Sequence, residues 1–336
     1  MTVAAPNARR TKLVVAFAII YLVWGSTYLV TKIGVGHLPP LTFAAARFVS
    51  GGLLLLVVAR WLALRRGQAL WPTITLVDAR ALLAVGFFGV FIANGTGVWG
   101  LQFIPSNLAA LLNVSASFWI PLLGLFGARA TSISLRIGVG LVIGFAGTVL
   151  IAWPGSDAAA AATWPTLIVL VGCFSWSVAT ILQRNQQSSL DLMTFTALQM
   201  LCGGLLLSCV MWLSGEPARW HWNTSGLAAL AYMTLMSSCI AYTAYAWLSV
   251  NVTPAQLSTY GFVNPAIALL LGWWILDETL GPLQMVGTLV ILGGTLLVNW
   301  PRPAPALAPA PAAITAIAGA AEAPLSSAKR EAPPAT

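Results

Sequence analysis

Residues 41–55 read LTFAAARFVSGGLLL and residues 193–207 read MTFTALQMLCGGLLL, a recurrence at an offset of 152 residues. The same offset brings Trp24 onto Trp176 and Lys32 onto Arg184. Further along, Gly140, Gly147, Thr148 and Leu150 meet Gly287, Gly294, Thr295 and Leu297 at an offset of 147. The match therefore runs through both halves of the chain with a few residues of loop adjustment. Each half is one unit, and the second repeats the first.

The units are built of apolar stretches of bilayer length. A helix needs about 20 residues to cross the hydrocarbon. Such stretches run over Leu13–Gly34, Thr42–Leu64, Ala79–Gln102, Asn107–Gly127 and Ser134–Trp153 in the first half. Trp164–Arg184, Leu192–Ser214, Ser225–Ser249, Pro254–Leu276 and Gly281–Trp300 form the second. With 59 % hydrophobic and 7 % charged residues, the composition excludes a soluble domain, in which about a quarter of residues are charged. The fold class expected is an all-α membrane protein: ten transmembrane helices in two inverted five-helix repeats. Inversion follows because a unit with an odd number of spans delivers the next unit to the opposite face.

Cations set the orientation, since Lys and Arg stay on the cytoplasmic side near span ends. With the N-terminus inside, 13 of the 16 basic residues fall on the inner face, and only Lys32, Arg47 and Arg219 lie outside or within the membrane. The loop after span two carries Arg60, Arg65, Arg66 and Arg80, while its repeat-mate after span seven carries Arg219 with Glu216. Equivalent loops thus sit on opposite faces, and both termini are expected in the cytoplasm. The net charge of +8 is accounted for by topology and anionic lipid headgroups, so no nucleic-acid partner is implied. The apolar run after Lys12 continues past Trp24 and Lys32 without a small-residue cleavage site, and reads as a retained first span. Residues 1–12 form a cytoplasmic segment, 13–153 and 164–300 the two repeats, and 301–336 a Pro/Ala-rich tail that cannot bury a core and is expected to be disordered. Cys173, Cys202, Cys209 and Cys239 all fall inside spans at spacings that suggest neither disulfides nor a metal site. They read as packing residues.

Polar side chains at bilayer depth are costly unless they face a cavity or a partner. Near mid-span lie Trp24 and Ser26, Asn94 and Trp99, Asn113, Ser117 and Trp119, then Trp176, Tyr242, Tyr245, Tyr260 and Asn264. Several are repeat-mates: Trp24 with Trp176, Asn94 with Tyr242. Inverted-repeat transporters place substrate at the midplane between halves, which makes this set, Trp119 apart, the candidate substrate-binding residues. Packing is the competing reading for small residues such as Gly140, Gly144 and Gly287. Trp153, Trp164, Trp212, Trp222 and Trp300 suit interface anchors at span ends. Asn264-Pro265 interrupts the hydrogen-bond ladder of span nine and predicts a kink there.

Lys32, Arg47 and Glu278 are candidate carboxylate or gate contacts. Lys32 can also snorkel outward from the end of span one. Arg47 lies about two turns into span two, with Gln199 as its repeat-mate and no acid at matching depth. All eight acids map to loops, tail or span ends. No span offers the mid-membrane carboxylate that proton-coupled carriers commonly use. His37 and His221 lie in outer loops without a nucleophile or clustered carboxylates, so an enzyme is not expected, nor a cofactor or bound metal.

At Trp24-Gly25-Ser26-Thr27-Tyr28, then Lys32, Pro39-Pro40 and Arg47, the chain resembles the EamA-like family of the drug/metabolite transporter superfamily. Pro254-Ala255-Gln256, Asn264-Pro265, Leu271-Gly272, Asp277-Glu278-Thr279-Leu280 and Gly293-Gly294 extend the likeness, which covers Leu13 to Asn299. The resemblance implies ten helices in two inverted halves around a cavity lined by helices one, three, four, six, eight and nine. It also implies a multi-pass protein of the bacterial inner membrane that exports small metabolites or drugs. One departure stands out: Thr131 replaces the acid that ends helix four in many relatives, while Glu278 is kept. The expectation is an exporter of small amphipathic metabolites such as amino acids, working by alternating access; drugs, nucleobases or other metabolites are the alternative cargo.

Overall fold

The structure is a computed structural model that describes residues 6–126, 135–152, 163–252 and 260–299. The regular structure among these residues is helical, with no strand. Helix α1 spans Pro6–His37, α2 Pro40–Arg65 and α3 Leu76–Gly100. Two short helices follow, α4 Ser106–Asn113 and α5 Ala116–Leu123, then α6 Leu135–Ala152. The second half holds α7 Thr163–Asn185 and α8 Leu192–Leu213. Helix α9 joins Thr224–Tyr232, Met233–Ala241 and Tyr242–Asn251, and is followed by α10 Tyr260–Leu276 and α11 Pro282–Asn299. Six helices among the described residues, α1, α2, α3, α7, α8 and α9, are long and apolar enough to cross a membrane unaided. Shorter apolar helices account for the rest. Residues 254–259 of the ninth expected span, the expected tail and Thr131 lie outside the described residues.

Large apolar side chains face outward all round. On α2, Leu53, Val57 and Trp61 are each at least half exposed. A water-soluble protein would not tolerate so continuous an apolar surface; in lipid it is the matching solvent, and the helices satisfy their own backbone groups. Because lipid gives no hydrophobic drive between helices, close backbone approach must supply the packing energy. Glycines provide it where α2 crosses α8 and where α6 crosses α11. A Cβ on Gly52 would meet the Ala197 carbonyl at 3.1 Å, and one on its repeat-mate Gly204 would meet the Val49 amide at 3.0 Å. A Cβ on Gly294 would lie 2.7 Å from the Gly140 carbonyl.

Four local departures from regular helix shape the interior. Gly86–Ile92 in α3 and Met233–Ala241 in α9 are π-helical, a form that appears mostly as single-turn insertions, often at functional sites. The fourth expected span is broken: Ser115 and Phe118 donate to carbonyls only three residues back, at Leu112 and Ser115, both at 3.0 Å, which tightens the chain between α4 and α5. Helix α10 carries Pro265 inside it.

Carboxylates close helix ends between the halves. Glu216, before α9, accepts from the Thr42 amide at the start of α2 at 2.8 Å and from its hydroxyl at 3.2 Å. Asp78, at the start of α3, accepts from Ser188 Oγ at 2.6 Å and the Ser189 amide at 2.9 Å, just ahead of α8. In each case an acid leading into the third helix of one half holds the approach to the second helix of the other half.

Candidate functional site

A cavity of about 140 Å³ lies among α1, α2, α3, α4, α7, α9 and α10. That volume has room for on the order of ten waters. Its walls include Trp24, Asn94, Asn113, Trp176, Tyr242, Tyr260, Asn264 and Arg47, so eight of the fourteen residues expected from sequence converge there.

One end is aromatic. Trp24 touches four other rings: Tyr245 at 4.9 Å, Tyr260 at 5.7 Å, Trp176 at 5.9 Å and Tyr242 at 6.0 Å between centroids. The Trp176, Tyr242 and Tyr260 contacts are edge-to-face, the geometry that ring quadrupoles favour, worth about 0.5–1.5 kcal/mol per pair. Tyr245 completes this cluster but lies behind it, 2 % exposed and outside the cavity wall.

The other walls carry polar groups. Asn94 donates from Nδ2 to the Gly89 carbonyl at 2.7 Å, a bond back into the π segment of α3. Asn264 is 5 % exposed, and its Oδ1 accepts no hydrogen bond from the described residues. Arg47 is 6 % exposed, donating from Nε to Ser238 Oγ and from Nη2 to Ser237 Oγ, each at 2.9 Å. Those two serines are consecutive residues of the π segment in α9. A π-helix advances by a smaller angle per residue than an α-helix, so neighbouring side chains can serve one guanidinium.

The remaining expected residues are elsewhere. Ser26 faces Tyr232, its Oγ 2.7 Å from the phenol oxygen. Trp99 packs on Phe103 at 4.8 Å and Trp119 on Phe174 at 5.1 Å. Ser117 is buried against Gly261, where a Cβ would come within 2.6 Å of its Oγ. Lys32 does not snorkel freely: Nζ donates to the carbonyls of Leu101 at 2.7 Å and Ile104 at 2.9 Å. Glu278 accepts from the Ser106 amide at 2.7 Å, Ser106 Oγ at 2.8 Å and the Asn107 amide at 3.0 Å, and so caps α4 from the other half of the chain. Lys32 and Glu278 line a separate shallow recess with Phe103 and Leu276.

Lining residues that were not expected include Thr27, Tyr28, Thr31, Cys173 and Ser237. The first three continue the α1 face of Trp24 at i+3, i+4 and i+7, a periodicity readable from sequence once Trp24 is placed. Cys173 serves the wall as well as packing.

Helices with lipid-facing apolar surfaces around a buried, mixed aromatic and polar cavity define a multi-pass membrane protein of the transporter class. The chain belongs to the EamA-like transporter family, which it matches over residues 11–153 and 163–300. It is similar to the inner membrane transporter YedA of Escherichia coli K12, 33 % identical over 286 residues, covering 83 % of this chain and 88 % of that protein. It is also similar to the transporter YvbV of Bacillus subtilis, 28 % identical over 294 residues, with coverage of 86 % and 92 %. A solved crystal structure, 20 % identical, shares the fold with a TM-score of 0.61 over 86 % of this chain and 97 % of that one.

Proposed function

We propose that the protein is a secondary transporter that exports a small amphipathic metabolite, such as an amino acid, across the inner membrane. Two inverted five-helix halves, residues 13–153 and 164–300, alternate access to the cavity, and both termini are cytoplasmic. The observation that carries this reading is the meeting of repeat-mates at one cavity: Trp24 and Trp176, Asn94 and Tyr242 all line it. A ligand held there touches both halves at once, so any movement of one half against the other changes its access.

Two further features support the inverted repeat. Shifted by the 148 residues that relate Asn94 to Tyr242, the π segment Gly86–Ile92 falls at residues 234–240, inside Met233–Ala241. The carboxylate closures at Thr42 and at Ser188 also exchange partners between halves in the same sense. The aromatic end suits the apolar part of an amphipathic molecule, and the Asn and Arg side chains suit its polar part. The deciding experiment is uptake and counterflow in proteoliposomes with amino acids, nucleobases and cationic drugs, with and without a pH gradient. Accumulation of nucleobases or cationic drugs in preference to amino acids would reassign the cargo; movement of none would reject transport.

A further inference from the structure

Arg47 stands apart from Arg60, Lys32 and Glu278. Arg60 pairs with Asp191 at 3.1 Å. Lys32 is held by two carbonyls and Glu278 by two amides and a hydroxyl. Arg47, by contrast, is buried on the cavity wall and, among the described residues, is met only by two serine hydroxyls and by the Phe48 ring, 4.4 Å from its guanidinium carbon. Its Nη1 makes no hydrogen bond to them, and no described acid reaches it. A guanidinium presents five donors in a planar fork suited to a carboxylate, and a buried cation without an anion is a costly arrangement unless something neutralises it.

Asn264 offers the complementary vacancy. Its Oδ1 is an acceptor on the same wall with no donor among the described residues. We propose that Arg47 is the anion anchor of the cavity: the bound molecule carries a carboxylate that docks on the open edge of the guanidinium, and organic cations without an anionic group are excluded. A second polar group on the ligand, an ammonium or amide N–H, meets Asn264, and an apolar remainder lies on the Trp24 and Trp176 rings. Nothing in this arrangement favours a cationic drug, since no described acid faces the cavity and Arg47 repels it. Arg47 holds this role whether or not the ligand is then moved; only calling that ligand a substrate rests on the transport reading.

The test uses the full chain in detergent and three probes of one shape: benzoate, benzamide and benzylamine. Benzoate raises the unfolding temperature in a dose-dependent way, and the neutral and cationic probes do not. In Arg47→Gln the apparent benzoate affinity falls roughly tenfold or more, as expected for loss of a charge-assisted contact. Arg47→Lys keeps part of it. Without ligand, Arg47→Gln melts no lower than wild type, because a buried charge without a counter-ion has been removed. No benzoate shift in wild type, equal shifts from benzamide or benzylamine, or a full benzoate shift in Arg47→Gln each overturns the proposal. Benzoate binding through Arg47 with no cargo moved in proteoliposomes rejects transport and leaves the anchor standing. Amino-acid transport with an unchanged KM in Arg47→Gln rejects the anchor and leaves transport standing.

Discussion

Trp24 and Trp176, equivalent residues of the two halves, meet edge-to-face with centroids 5.9 Å apart at 81°. Each half thereby contributes the same residue to one aromatic wall. The two indoles are both half-buried, whereas Tyr242 beside them is 3 % exposed. Trp176→Ala should therefore cost less stability than Tyr242→Ala, which opens a packed void worth about 3–5 kcal/mol. Transport should fall in both. Unfolding curves and counterflow on the same preparations check this, and normal transport by a destabilised Trp176→Ala would make the residue packing alone.

Asn264 gives a sharper separation of function from stability. Its buried, unpartnered carbonyl oxygen costs about 1–3 kcal/mol. Asn264→Leu should leave the melting temperature unchanged or raised while lowering transport at least about tenfold, equivalent to about 1.4 kcal/mol of binding. A lower melting temperature with transport intact would show that the amide supports the fold instead.

Glu278 caps α4 through three accepted hydrogen bonds. Glu278→Ala should destabilise the protein by about 1–2 kcal/mol, the usual cost of losing an N-cap, with Glu278→Gln intermediate. Denaturant unfolding in detergent reads this directly, and an unchanged midpoint in Glu278→Ala would remove the residue from the cap.

Asp191 sets a pH dependence. Partial burial raises its pKa, but hydrogen bonds from Thr194 and the charge of Arg60 lower it by more, leaving it below the ordinary carboxylate value. A depressed folded-state pKa stabilises the fold fully above about pH 4, and that contribution disappears as pH falls through the folded value. Arg60 also donates to Thr194, so the contact ties the end of α2 to the start of α8. Asp191→Asn should flatten the loss of melting temperature between neutral pH and about pH 3. An identical slope in the variant would assign the acid sensitivity to another group.

Coupling and orientation are open to direct measurement. Among the described acids, Asp78, Asp191, Glu216 and Glu278 serve helix ends and Asp277 lies exposed just past the end of α10, so counterflow should persist when the proton gradient is dissipated. A cysteine at Ser214, exposed after α8, should react with impermeant maleimide on intact cells, and one at Gln68, exposed after α2, should not. The reverse labelling would invert the topology.

Depth was legible in the sequence and azimuth was not. Trp24, Asn94, Trp176, Tyr242 and Asn264 were identifiable because a polar or amphipathic side chain at mid-span needs a reason to be there. Ser26 sits at the same depth yet turns toward Tyr232, because two residues along a helix point about 200° apart. The break after Asn113 left no trace, since Val114 and Ser115 are neither Gly nor Pro. The π segment of α3 was equally silent: Gly-Phe-Phe-Gly-Val-Phe-Ile has no polar face by which a change of period can be seen. Arg47 was visible as a cation without an acid, but its partners in α9 depended on a helix geometry that the sequence does not announce.

Each π segment holds one residue more than the α-helical turn it interrupts. Handing that spare residue along the helix turns the intervening stretch by about 100° and moves it by about 1.5 Å. Asn94 lies just beyond the segment in α3, and Tyr242 immediately beyond the one in α9. Asn94 of one half and Tyr242 of the other are thus mounted on matching screws, and Arg47, bonded to the thread of the second through Ser237 and Ser238, is where a bound anion would apply torque.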